Sequence, residues 1–178
     1  LRNLSLGMDD AQITDGGLEH LQGLTGLQTL WLTNSQITDA GLVHIKALPQ
    51  LAALALARSR ITDAGLEQIG GLKGLRGLVL NGTQITDAGL EHLQGLTELT
   101  DLRLQNTKIT DAGLEHLKDL TGLRSLYLDG TPITDAGLEH LKGLTDLGRL
   151  ELTGTQVTEA GVQQLKRSLP GLNIYIYR

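Results

Sequence analysis

The sequence predicts an α/β solenoid: short parallel strands stacked in one sheet, each followed by a short helix. Three observations predict it. The hexapeptide Ile-Thr-Asp-Ala-Gly-Leu recurs at 37–42, 61–66, 85–90, 109–114 and 133–138, with looser copies at 13–18 and 157–162, each 24 residues after the last. Self-similarity at a fixed period of this size marks a repeat array rather than a globule. Between the hexapeptides runs Leu-x-x-Leu-x-Leu, from Leu27/Leu30/Leu32 to Leu147/Leu150/Leu152, with a first copy at Leu1/Leu4/Leu6. Beyond each hexapeptide, leucines return at helical spacing.

The Leu-x-Leu segments alternate with period two, so they are strands with one buried face. One strand per repeat, each followed by a crossover, requires a parallel sheet. In the crossovers, Leu138, Leu141 and Leu144 sit at i, i+3 and i+6, one face of a short helix. Thr134 stands at the N-cap and Asp135 in the first turn, where a negative charge meets the positive helix end. Gly143 and its equivalents suit the helix end. Gly137 lies inside the helix, where Gly costs up to ~1 kcal/mol relative to Ala. Its presence in every copy predicts close packing of backbone on backbone.

Leu-x-x-Leu-x-Leu-x-x-Thr-x-Ile-Thr-Asp-Ala-Gly-Leu resembles the repeat of leucine-rich repeat proteins. It is similar to the 24-residue repeats of large bacterial, planctomycete-type proteins. It also resembles the repeats of F-box adaptors, with Thr in place of Cys or Asn. The resemblance implies a horseshoe, with the parallel sheet on the concave face and short helices on the convex face. Curvature follows because strands pack ~4.8 Å apart and helices ~8–10 Å apart.

The 178 residues read as one domain, 1–178, of about seven repeats plus a closing strand. Leu1 already occupies a repeat position, and solenoid ends normally carry polar caps, so a fragment of a longer protein is expected. The first repeat has two extra residues around Met8 to Ala11, and the last has one near Ser168. Counted from Leu172, Tyr175 and Tyr177 face inward; counted strictly by 24, Ile174 and Ile176 do.

Net charge is −5 with both signs mixed, and no Lys/Arg run offers a footprint for nucleic acid. No apolar run approaches the ~18 residues needed to span a membrane. The chain has no Cys, which excludes disulfides and thiolate metal sites. No cofactor is implied. The sequence holds no Gly-rich phosphate loop, Ser/His/Asp set or metal-spaced cluster, so it predicts a protein without catalysis.

Several columns of the repeat carry polar side chains. The hydroxyls of Ser35, Ser59, Thr83, Thr107, Thr131 and Thr155 follow the strands and suit backbone groups left open at the turn. His20, His44, His92, His116 and His140 form a convex row expected to be partly exposed rather than metal-binding. Glu115 with Lys118 and Glu139 with Lys142 are helical i, i+3 pairs. Asp39, Asp63, Asp87, Asp111 and Asp135 are expected to serve as caps and dipole partners.

The strand positions beside the inward leucines point to the concave surface, and these are the ones that do not repeat. They run Asn3/Ser5/Gly7, Thr29/Trp31/Thr33, Ala53/Ala55/Ala57, Gly77/Val79/Asn81, Asp101/Arg103/Gln105, Ser125/Tyr127/Asp129 and Arg149/Glu151/Thr153. Trp, Tyr and Arg are the residue types enriched in interface hot spots. The predicted partner site is therefore Trp31, Val79, Asp101, Arg103, Tyr127, Arg149 and Glu151. The predicted function is a non-catalytic interaction module that binds a protein or peptide on its concave sheet. The alternatives are the receptor part of a larger protein and a self-assembling spacer. The expected state is a monomer or a weak end-to-end association.

Overall fold

The structure, a computed structural model, describes residues 1–6 and 13–177. The extra residues around Met8 to Ala11, and the concave position Gly7, lie outside the described residues. Eight three-residue strands pair in chain order into one parallel sheet. They are β1 (Asn3–Ser5), β2 (Thr29–Trp31), β3 (Ala53–Ala55), β4 (Gly77–Val79), β5 (Asp101–Arg103), β6 (Ser125–Tyr127), β7 (Arg149–Glu151) and β8 (Asn173–Tyr175). Register is in phase throughout: Leu30, Leu54, Leu78, Leu102, Leu126, Leu150 and Ile174 stand opposite one another across the sheet. The strand leucines from Leu30 to Leu152 are buried in a single continuous core.

Ile174 and Ile176 pack against that core, while Tyr175 pairs with Glu151 and lies on the outer side. Strict counting by 24 therefore gives the register of β8. The insertion expected near Ser168 is absent: β8 follows β7 by 24 residues, and buried Leu172 simply stands two rather than three residues before the inward strand position.

The convex side holds α1 (Asp15–Glu19), α2 (Asp39–Leu42), α3 (Asp63–Ile69), α4 (Asp87–Glu91), α5 (Asp111–Leu114), α6 (Asp135–Leu138) and α7 (Glu159–Ser168). Most are little more than one turn. After α2, α5 and α6 the chain tightens into a 3-10 turn, at Ile45–Ala47, Glu115–Leu117 and Glu139–Leu141. The expected single helical face through Leu144 is thus split. Leu138 and Leu141 fall in α6 and its 3-10 turn, Leu144 follows them, and all three are buried. A 3-10 turn rises ~2.0 Å per residue against 1.5 Å for an α-helix, so fewer residues carry the crossover back to the sheet. Among the described residues no helix is long and apolar enough to cross a membrane.

The repeats are tied together by a carboxylate ladder. Asp87 Oδ1 accepts the Thr110 backbone N–H at 2.7 Å, and Oδ2 accepts the Thr110 hydroxyl at 2.6 Å. The same pair of bonds joins Asp15 to Thr38, Asp39 to Thr62, Asp63 to Thr86, Asp111 to Thr134 and Asp135 to Thr158. The carboxylate in the first turn of each helix from α1 to α6 therefore spends its hydrogen bonds not on its own helix, as expected of a cap, but on the chain of the next repeat. The recurrent Gly has the same cause. A Cβ on Gly113 would fall inside contact distance of Asp87 Oδ1, and Gly41, Gly65, Gly89, Gly137 and Gly161 meet the preceding Asp in the same way. The close neighbour is a carboxylate, not the backbone predicted from the sequence.

The hydroxyl column behaves as expected. Ser59, Thr83, Thr107, Thr131 and Thr155 each donate to the carbonyl three residues back, on the strand leucine. Ser35 Oγ has no partner among the described residues.

A candidate binding face on the concave sheet

Each of β2 to β7 contributes a buried leucine flanked by two residues that point outward. The framework fixes where these flanking positions sit and leaves their identity free. On β1 to β4 they carry no charge; on β5 to β7 they carry Asp101, Arg103, Arg149 and Glu151. The face is thus divided along its length.

The uncharged half holds a depression of about 220 Å³. Trp31, 54% exposed, stands on one side of it. Ala53, Ala55 and Gly77 form the floor, and Val79, Asp101 and Arg103 close the far side. The hollow exists because side chains are missing. A Cβ on Gly77 would make only ordinary contact, 3.7 Å, with Ala53 Cβ, so packing does not demand glycine there.

The charged half is a stack. The Arg103 guanidinium lies 4.7 Å from the Tyr127 ring centre, with Arg149 at 5.6 Å from the same ring. Arg149 also lies 4.7 Å from the Tyr175 ring centre. Each guanidinium is held by a carboxylate on its own strand. Asp101 Oδ1 accepts from Arg103 Nε at 2.9 Å, and Glu151 Oε1 accepts from Arg149 Nε at 2.9 Å and Nη2 at 2.5 Å. The hydrogen bond to Glu151 raises the Arg149 pKa above its ordinary value. Exposed cation–π contacts are worth ~0.5–1 kcal/mol, so the stack orders four long side chains without burying them.

The seven predicted residues therefore form two adjoining groups. Trp31, Val79, Asp101 and Arg103 ring the hollow. Arg103, Tyr127, Arg149 and Glu151 form the stack, and Arg103 belongs to both. Sequence reasoning left Tyr175 out because its register was open, and it did not single out the left-handed turn conformation of Arg58.

Arg58 occupies the turn after β3 with φ +57°. The equivalent residues are Asn34, Gly82, Asn106, Gly130 and Gly154, all at positive φ. Only Arg58 is neither Gly nor Asn, the residues that tolerate this conformation. That column was visible in the sequence as Asn/Gly with one exception.

Some of the convex polar groups pair with one another. Among the described residues no three His, Cys, Asp or Glu side chains converge on a metal position. His44 and His116 instead bond the amides of Gln22 and Gln94, each at 2.7 Å. Glu115 reaches Lys118 at 3.6 Å and Glu139 reaches Lys142 at 2.6 Å.

Residues 49–109 match the family model for the leucine rich repeat. The solved structures similar to this chain include an internalin, inlF, from Listeria monocytogenes, with 26% identity and a TM-score of 0.82 over 100% of this chain. The chain spans 48% of the length of that internalin. Internalin C2 from the same bacterium matches 98% of this chain and 80% of its own, with 26% identity and a TM-score of 0.75. No curated protein sequence matches the chain. With its in-phase strand leucines, single-turn crossovers and open parallel sheet, the chain has the leucine-rich repeat fold, a solenoid of the kind seen in these bacterial internalins.

Proposed function

We propose that the chain is a non-catalytic interaction module whose concave sheet binds a protein partner through Trp31, Val79, Asp101, Arg103, Tyr127, Arg149 and Glu151. Leucine-rich repeat solenoids of this kind generally serve protein–protein interaction. One observation carries the assignment to this face. The side chains that fill the core and tie the repeats recur, whereas the outward strand positions differ from repeat to repeat and gather the only Trp with Arg and Tyr. Packing explains the first set and is indifferent to the second.

A pre-ordered surface loses little side-chain entropy on binding, which favours recognition. The stack supplies that order, since each arginine is held by a carboxylate and a ring. The test is affinity capture from source lysate with the wild type beside a Trp31→Ala/Arg103→Glu/Tyr127→Ala variant. A protein retained by the first and lost from the second supports the concave site. Retention by both moves recognition to the convex side or the ends. Retention by neither favours a spacer.

A further inference from the structure

We infer that the hollow beside Trp31 takes one large apolar side chain of an acidic peptide segment, and that Arg58 and Arg60 receive its carboxylates. The inference rests on the concave-face proposal and narrows it to a ligand chemistry.

Three observations converge. The first is shape. The depression of about 220 Å³ has an exposed indole on one side and a floor of Ala53, Ala55 and Gly77. It is an apolar socket sized for one side chain rather than a flat contact.

The second is charge. Arg103 lines this socket, and Arg58 and Arg60 lie on the turn that follows β3, the strand that supplies Ala53 and Ala55 to its floor. The one carboxylate in the lining, Asp101, is already engaged with Arg103 at 2.9 Å. Arg58 and Arg60 are exposed and have no carboxylate partner among the described residues. The equivalent turns at 33–38, 81–86 and 153–158 hold no charged residue, 105–110 holds Lys108 alone, and 129–134 is acidic. The local excess is therefore positive in a chain of net −5.

The third is strain. Arg58 sits at φ +57°, where three of the other repeats place Gly and two place Asn. Its side chain does not serve the core: it lies over the turn of the next repeat, with Cγ 3.4 Å from where a Cβ on Gly82 would stand. A fold that keeps a long cation in a disfavoured conformation, on the turn that follows the strand of the socket floor, points to use of that cation.

Geometry sets the spacing. Arg58 is three residues along the chain from Ala55 in the socket floor, a reach of at most ~11 Å. The ligand's carboxylates should lie within about three residues of its apolar side chain.

The probes are three blocked heptapeptides: one Phe among Glu residues, the same peptide with Lys for Glu, and the first peptide with Ala for Phe. Trp31 is the only Trp, so its fluorescence reports occupancy of the socket directly. The Glu/Phe peptide is expected to shift Trp31 emission and to bind at least ~10-fold more tightly than either control at low salt, the gap closing as salt is raised. Arg58→Gly/Arg60→Ala is expected to weaken that peptide ~10-fold. Arg58→Gly fits the local backbone and should raise Tm, so lost binding cannot be lost folding. Gly77→Leu, which fills the socket, should abolish the emission shift.

Equal binding of the Glu and Lys peptides, with Trp31 emission shifted by both, overturns the acidic assignment and leaves the concave face as a binding face. No emission shift with any peptide overturns the socket. The concave reading falls with it only if the Trp31/Arg103/Tyr127 triple variant still captures the wild-type partner.

Discussion

Gly113→Ala should destabilise the chain, although alanine is ordinarily the better helix residue. Gly113 lies in α5, where Ala would contribute up to ~1 kcal/mol in helix propensity. Its Cβ would, however, collide with Asp87 Oδ1 and stand 3.1 Å from both Asp87 Cγ and Ile109 Cγ2. The carboxylate would have to swing away from the Thr110 N–H at 2.7 Å and the Thr110 hydroxyl at 2.6 Å. Hydrogen bonds to a charged group contribute ~1.5–3 kcal/mol net. Solvent reaches this pair and screens it, so each bond falls below that range, to about 1 kcal/mol, and the two together are worth about 2 kcal/mol. Gly113→Ala should cost about 1–2 kcal/mol after its propensity gain. Asp87→Ala should cost about 2 kcal/mol, which is ~4–8 °C in Tm for a chain of this length. In the Asp87→Ala background only the 3.1 Å approach to Ile109 Cγ2 remains to offset the propensity gain, and Gly113→Ala should become close to neutral. The double variant would then be more stable than the sum of the singles predicts by about 1–2 kcal/mol. The assay is urea and thermal unfolding of the four proteins at pH 7. Additivity within ~0.5 kcal/mol, or a stabilising Gly113→Ala in the wild type, would refute the carboxylate explanation of the glycine.

Two further outcomes follow from single turns. Arg58→Gly should stabilise by about 1 kcal/mol, since a left-handed conformation costs other L-residues roughly 1–2 kcal/mol; a fall in Tm would show that the Arg58 side chain supports the fold. Thr131→Val keeps the shape but removes a buried hydroxyl that donates to Leu128 O at 2.5 Å, and should cost ~1 kcal/mol in urea unfolding. If Thr131→Val were neutral, the hydroxyl column would be dispensable to the turn.

The fold was legible because its determinants repeat. Leu54, Leu78, Leu102 and Leu126 could be aligned by counting, and the parallel register follows from that count. What counting could not supply was any contact between repeats. Asp87 and Thr110 are 23 residues apart and look like a dipole partner and an N-cap of separate helices. Only when the repeats are stacked do they become one hydrogen-bonded unit, and only then does the glycine have a cause. The register of β8 stayed open for a related reason: Leu172 is displaced by one residue from the leucine count, and the packing of Ile174 and Ile176 against the core closes the question.

The candidate site was legible in its residues but not in its form. Alternation along each strand places Trp31, Arg103 and Tyr127 on one face, yet alternation says nothing about height. Ala53, Ala55 and Gly77 are small, so the face dips between Trp31 and Arg103. Arg103, Tyr127, Arg149 and Tyr175 are long and stack, so beyond the dip the face rises. Relief on this sheet therefore comes from side-chain size across strands, a quantity spread over residues 24 apart. The framework makes such relief possible at little cost. The Asp–Thr ladder and the glycine beneath it hold repeat to repeat on the convex side, so the outward positions can change without loosening the stack. Arg58 is the exception that locates use. It sits in a column the backbone does constrain, and it departs from the Gly/Asn pattern in the repeat that forms the floor of the hollow.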